Sequence, residues 1–425
     1  MSVWRFARGC SRLFLLEVEA RAEPLWFSLS AELSPPSSPS YTEALSCAFG
    51  SARLFSLHVH GGGRVQRARS HAELVNALKS CLPPECRVLP LTSFLPGVKD
   101  SVIRGFFLRD ESATSSAERV LSQLKQSHSV TVFSYQREES GGGQYWCQEL
   151  WRSPTTETES EQNQRFYVKP VPAPQDNLAT LNIVNSDVFY RLEDAYQVLQ
   201  ECRDIIPESK EVLEIVNKQL EACSQDEGFP VIVIEGLDAT GKTTLTESLQ
   251  QALGATLLKS PPQCLAPFRQ RFDSEPPLIR RAFYALGNYI TAAQIARESS
   301  QRPVIVDRYW HSTAAYAIAT AVSGPIEKLP ALGSEVYVWP SDLLRPKLVL
   351  LLTVSPHERL RRLQGRGLGQ TEEETQLEVN DLFRQKVDEA YKRIQNPACV
   401  AVDASPSPDQ VLQQVLGLIR NKCHL

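Results

Sequence analysis

Two patterns of apolar residues divide the chain. Up to about residue 175 apolar positions mostly alternate with polar ones, as in RLFSLHVH at 53–60, SVIRGFFL at 101–108, SVTVFSY at 129–135 and QYWCQELW at 144–151. Alternation at period two predicts strands. Glycine triplets at 61–63 and 141–143 mark turns beside them. HAELVNALKSCL and TSSAERVLSQLKQS repeat at three and four, which predicts two helices. Together these segments predict a small α+β domain over 45–175, interrupted by SPTTETESEQNQ, a polar stretch that reads as a loop. It offers no catalytic constellation.

Residues 176–228 read as linker and helical segment. KPVPAPQDN at 169–177 is proline-rich, and 186–223 predicts two helices parted by Pro207, with Ser186 or Asp187 as N-cap. Around Gly228 the pattern changes. VIVIE, RPVIVD, KLVLLLTV and CVAVD are continuous apolar runs, each followed by an amphipathic stretch. Strands apolar on both faces, alternating with helices, predict an α/β domain over 229–425 with a parallel sheet covered on both sides.

The first of these runs leads into GLDATGKTT. Gly236, Gly241, Lys242 and Thr243 fit G-x-x-x-x-G-K-[ST], with a strand before and a helix after. Glycines let the backbone curl so that the N–H groups of Asp238, Ala239, Thr240 and Thr244 converge on phosphate oxygens. The helix that follows turns its positive end to the same anion. Lys242 then reaches the β- and γ-phosphates, and the Thr243 hydroxyl ligates Mg²⁺. RPVIVD ends in Asp307-Arg308-Tyr309, where a carboxylate can hold the Mg²⁺ shell and an arginine can clamp an acceptor phosphate. No NKxD base-reading motif for guanine is present.

Composition narrows the classes further. The 425 residues carry a net charge of −4 and are 42% hydrophobic. No overall basic field favours nucleic acid, and no apolar run approaches the ~18–20 residues of a membrane span. Residues before Gly228 balance at −6 and those after it at +2, so the positive half is the one with the phosphate motif. Ten cysteines form no CxxC, and no Cys/His cluster has zinc spacing, which reads as reduced thiols. His58 and His60 share one face of a predicted strand and read as ordinary histidines. The first 16 residues, MSVWRFARGCSRLFLL, carry Arg5, Arg8 and Arg12 and no acid, with the arginines on one side of a helical plot. Residues 1–20 are therefore expected to form a mitochondrial transit peptide.

GLDATGKTT, VDRYWHST and PKLVLLLTVSPHERLRRL resemble the thymidylate kinase family of nucleoside monophosphate kinases, over about 229–425. The resemblance implies a P-loop kinase with a parallel five-stranded sheet and ATP as phosphoryl donor with Mg²⁺. It implies that Asp238 bonds the acceptor ribose 3′-hydroxyl, and that Asp307 and Arg308 are the metal-associated carboxylate and the acceptor-phosphate arginine. On LIRRAFYALGNYITAAQIARES, Arg281, Tyr284 and Asn288 share a helix face. Tyr284 matches the aromatic that stacks on the acceptor base. Asn288 stands where thymidylate kinases place an arginine that donates to the thymine 4-oxo group.

Arginine only donates, whereas an asparagine amide also accepts and can flip to meet uracil or cytosine. The expected reaction is therefore phosphorylation of UMP, CMP, dUMP and dCMP, in mitochondria. A strict thymidylate kinase and a nucleotide-binding scaffold without transfer are the alternatives. Gln263 stands near the family's usual acceptor-phosphate arginine, with Lys259, Arg269 or Arg271 as substitutes. Ala239 occupies the P-loop position where some members carry a catalytic arginine, so RLRRLQGRGLGQTEEE should supply it: Arg366 first, Arg362 second, with Arg359 and Arg361 on the solvated face. The chain does not fix its assembly; a homodimer is one expectation.

Overall fold

A computed structural model of the chain describes residues 12–18, 23–32, 45–46, 48–50, 52–96, 98, 101–112, 116–140, 143–152, 164–172, 188–220, 228–322, 324–364 and 380–425. It divides into two compact units, residues 1–185 with 323–328, and the remainder.

In the first unit eight strands close into an antiparallel barrel: β1 (Leu13–Leu16), β2 (Leu25–Ser30), β3 (Arg53–Val59), β4 (Cys86–Phe94), β5 (Ile103–Asp110), β6 (Val130–Ser140), β7 (Gly143–Leu150) and β8 (Arg165–Pro170). Their order round the barrel is β1-β2-β8-β7-β6-β3-β5-β4. Two helices, α1 (Arg64–Cys81) and α2 (Ser116–Ser127), pack on its outside. Strand β3 shows the design. Leu54 joins the interior with Phe14, Phe27, Phe107 and Trp146, while Phe55, Leu57 and Val59 meet Leu74 and Leu78 of α1 and Leu121 of α2.

Four buried polar side chains of the barrel form one chain. Gln148 Nε2 donates to the Tyr135 hydroxyl at 2.7 Å, which donates to Ser56 Oγ at 3.1 Å, and His58 Nε2 lies 3.0 Å from the same oxygen. Burial, helped by the Arg12 charge, lowers the His58 pKa to about 3, which makes it a neutral histidine of the barrel interior.

The barrel bears on two expectations. The strands and helices of 45–175 form as read, and they share a closed barrel with the earlier strands β1 and β2. Residues 1–11 lie outside the described residues, but Leu13–Leu16, inside the stretch read as a transit peptide, pair with β2 and β4 and are buried. Removing residues through 20 would leave two unpaired strand edges.

The second unit opens with two helices, α3 (Leu192–Glu201) and α4 (Glu208–Leu220), parted at Pro207 as predicted. Ser186 and Asp187, the expected N-caps, lie outside the described residues; Arg191 holds the N-cap position of α3 without a side-chain capping bond. A five-stranded parallel sheet follows, built from β9 (Val231–Gly236), β10 (Thr256–Lys259), β11 (Val304–Asp307), β12 (Leu348–Thr353) and β13 (Cys399–Asp403) in the order β10-β11-β9-β12-β13. The helices are α5 (Lys242–Leu253), the short α6 (Arg269–Asp273), α7 (Pro277–Ser299), α8 (Trp310–Ala321), α9 (Pro356–Gln364), α10 (Asp381–Arg393) and α11 (Pro408–Cys423). Leu245 and Leu249 of α5 and Val411, Val415 and Ile419 of α11 bury one sheet face with Ile232, Ile234, Ile305 and Leu350. The central strand β9 is buried throughout, as its unbroken apolar run requires. Among the described residues no helix is long and apolar enough to cross a membrane.

A chain beginning at residue 21 lacks β1. It is expected to lose the near-ultraviolet circular dichroism of the packed barrel aromatics; a truncated chain with that signal unchanged would show that β1 is dispensable.

Candidate active site

The site forms where β9 and β11 end side by side. β9 stops at Gly236, whose φ is +141°. A Cβ there would lie 2.6 Å from the Leu352 carbonyl oxygen, so only glycine fits. Ala239 and Gly241 also have positive φ, +63° and +92°, and curl the loop back into α5.

Lys242 opens α5 and is buried. Its Nζ donates to the Leu237 carbonyl oxygen at 2.8 Å and lies 3.8 Å from Asp238 Oδ1. Arg308 NH2 reaches the same Asp238 oxygen at 2.5 Å. One carboxylate thus bridges two cations brought from separate strand ends. Burial and the Arg308 charge lower the Lys242 pKa to about 7, against the pull of Asp238, Asp307 and Glu235.

Arg308 has φ +65°, a backbone conformation costing of order 1–3 kcal/mol in a residue with a Cβ. Glu235 holds that turn. It is fully buried at the end of β9, and its carboxylate accepts from the Tyr309 N–H at 2.8 Å and from Ser312 Oγ at 2.5 Å. These donors belong to the start of α8, so Glu235 caps that helix from another strand. The Tyr391 hydroxyl of α10 stands 3.4 Å from it. Burial raises the Glu235 pKa, while the Ser312 hydrogen bond and Arg308 oppose the rise. Sequence reasoning missed this residue; an acid closing an apolar strand just before a P-loop is the signal that marks it.

Asp307 Oδ1 is buried without a hydrogen-bond partner. Thr243, in the first turn of α5, is exposed. Among the described residues no group of three His, Cys, Asp or Glu side chains could cage a metal. A free carboxylate oxygen and an exposed hydroxyl near a phosphate loop suit a cation that keeps most of its ligands from water and phosphate.

The helix after β12 differs from expectation. Arg359 is buried, and its Nε donates to the Asp238 carbonyl oxygen at 3.1 Å. It therefore supports the P-loop and is not on a solvated face. Arg361 does lie outside, paired with Glu358 at 2.7 Å. Arg362, one turn after Arg359 and on the same face, donates to the Ala404 carbonyl oxygen at 2.9 Å and stands 3.5 Å from that of Thr240. It lines a cavity of about 340 Å³ with Ala239, Gly241, Thr244 and Pro406. Arg366 lies outside the described residues.

On α7 the predicted trio divides. Arg281 and Asn288 turn to α8: Arg281 NH2 donates to Thr320 Oγ1 at 2.9 Å and Asn288 Nδ2 to Thr313 Oγ1 at 3.1 Å. The Tyr284 hydroxyl donates to Asp273 Oδ1 at 2.7 Å. Arg269 lies 6.0 Å over the Tyr284 ring. Arg271 is paired with Glu275 at 2.5 Å, and Lys259 is exposed at the end of β10. Gln263 begins a short 3₁₀ turn, Gln263–Phe268. Phe283 is buried and stacks on Phe272 with ring centroids 4.5 Å apart.

The thymidylate kinase family model matches residues 234–415. The chain is 47% identical over 368 residues to the mitochondrial UMP-CMP kinase 2 of Homo sapiens, covering 85% of this chain and 80% of that protein. It is 31% identical over 206 residues to a thymidylate kinase of Xanthomonas oryzae pv. oryzae, covering 45% of this chain and 83% of that one. Among solved structures, a thymidylate kinase from Candida albicans aligns with 47% of this chain and 94% of its own, at 24% identity and a TM-score of 0.38. The chain belongs to the thymidylate kinase family and is a nucleoside monophosphate kinase.

Proposed function

We propose that the chain transfers the γ-phosphoryl group of Mg-ATP to UMP, CMP and their deoxy forms, within mitochondria. The single observation that carries the reading is the Lys242–Asp238–Arg308 cluster, in which two cations share one carboxylate. Lys242 binds the donor's β- and γ-phosphates and Arg308 the acceptor's phosphate. An acceptor oxygen attacks the γ-phosphorus, the bond to the bridging oxygen breaks, and ADP leaves. No protein nucleophile is needed, because catalysis here is positioning and charge. Asp238 separates the two cations and accepts from the acceptor ribose 3′-hydroxyl.

Thr243 and Asp307 would hold the Mg²⁺ shell; the ion, when bound, neutralises phosphate charge. The orphaned Asp307 oxygen supports that assignment. Arg362 lines the cavity beside the P-loop and is suited to the donor nucleotide. Arg366 remains the choice from sequence for the charge on the transferring group. Tyr284 stacks the acceptor base and Asn288 reads its 4-position. The kinship with a protein named as a mitochondrial UMP-CMP kinase supports both the substrate class and the compartment.

Asn288→Arg tests the base. A cytosine amino group facing arginine is left unpaired, at about 1–3 kcal/mol, so CMP turnover should fall roughly five- to 150-fold relative to UMP in a coupled assay. An unchanged ratio, or a preference of the unaltered enzyme for dTMP over CMP, UMP, dCMP and dUMP, would reject the specificity.

Lys242 gives a pH signature. Its pKa of about 7 means that it is increasingly neutral above that pH. A bound polyphosphate favours the ammonium and raises the pKa. ATP binding is therefore expected to take up protons, little near about pH 6 and more near about pH 8. Titration calorimetry in buffers of different ionisation enthalpy measures it; equal uptake at both pH values would remove Lys242 as its source.

A further inference from the structure

The two hydroxyls that hold Asn288 differ in freedom. Ser260 Oγ donates to Asn288 Oδ1 at 2.6 Å, and Asn288 Nδ2 donates to Thr313 Oγ1 at 3.1 Å. A hydroxyl has one proton and two lone pairs. Thr313 gives its proton to the Trp310 carbonyl oxygen, one turn back on α8, at 2.9 Å. Toward Asn288 it can therefore only accept, so the amide nitrogen must face it. The amide oxygen is then turned to Ser260, which supplies its only proton. Ser260 and Asn288 are both buried, so water does not offer substitute partners.

The free flip expected from sequence is thus opposed. Reversing the amide would set its oxygen against the Thr313 lone pairs, or break the bond from Thr313 to Trp310. In the held orientation each end keeps one unused group, a lone pair on Oδ1 and a hydrogen on Nδ2. Cytosine and uracil demand opposite matches from such an edge. Cytosine offers a donor at its 4-position and an acceptor at N3, and uracil the reverse.

We infer that Ser260 and Thr313 are positioning residues for base choice: by fixing which end of the Asn288 amide meets the pyrimidine 4-substituent, they set the ratio of CMP to UMP use. The inference rests on the reading of Asn288 as the residue that meets the base. It makes base preference a property of three residues on β10's exit, α7 and α8, and not of Asn288 alone.

The test is competition between CMP and UMP on the full chain, reading the ratio of their kcat/KM values. A general loss of activity lowers both and leaves the ratio in place. Ser260→Ala and Thr313→Val should each move it about two- to tenfold, the effect of one lost hydrogen bond. Ser260→Thr and Thr313→Ser keep a hydroxyl and should stay near the unaltered ratio. If Asn288→Ala moves the ratio while Ser260→Ala and Thr313→Val do not, the inference is overturned and the base-reader reading stands. If Asn288→Ala leaves the ratio unmoved, both fall.

Discussion

Two cations sharing one carboxylate is the interaction on which the site depends. Lys242 and Arg308 both reach Asp238, from two neighbouring strand ends. Burial, with the Arg308 charge, depresses the Lys242 pKa more than Asp238, Asp307 and Glu235 raise it, which leaves the ammonium with a shortage of compensating charge. Phosphate relieves it. On the proposed reading, two nucleotides whose phosphates repel each other can then be held close enough to react.

The rest of the second unit serves that arrangement. The parallel sheet aligns β9 and β11 so that the P-loop and Arg308 emerge together. Glu235 keeps the Arg308 turn in its strained backbone conformation and ties it to Ser312 on α8 and Tyr391 on α10. Arg359 supports the Asp238 backbone from α9. Removing any of these supports would leave the cations present but misdirected, and a misplacement near 1 Å is enough to slow a phosphoryl transfer.

Much of this was legible in the sequence because local chemistry demands it. Gly236, Lys242 and Thr243 lie within one loop, and Asp307-Arg308 closes an apolar strand, so short windows reveal them. Glu235, Arg359, Ser260 and Thr313 were not legible. Each acts on a partner far along the chain, as Arg359 does on Asp238 and Ser260 on Asn288, and only the fold brings them together. The barrel was hidden for a similar reason. Leu13–Leu16 is four residues long and follows a run of arginines, so it reads as the end of an amphipathic helix until β2 and β4 are seen on either side. Closure of a sheet is a long-range property that alternation at period two does not encode.

A bisubstrate analogue, ATP and UMP joined through their phosphates, tests the opposition of the two nucleotides most directly. One analogue per chain should displace both ATP and UMP, and Arg308→Met should weaken it far more than it weakens ATP alone. An analogue that competes with ATP but leaves UMP bound would contradict a shared phosphate site between Lys242 and Arg308.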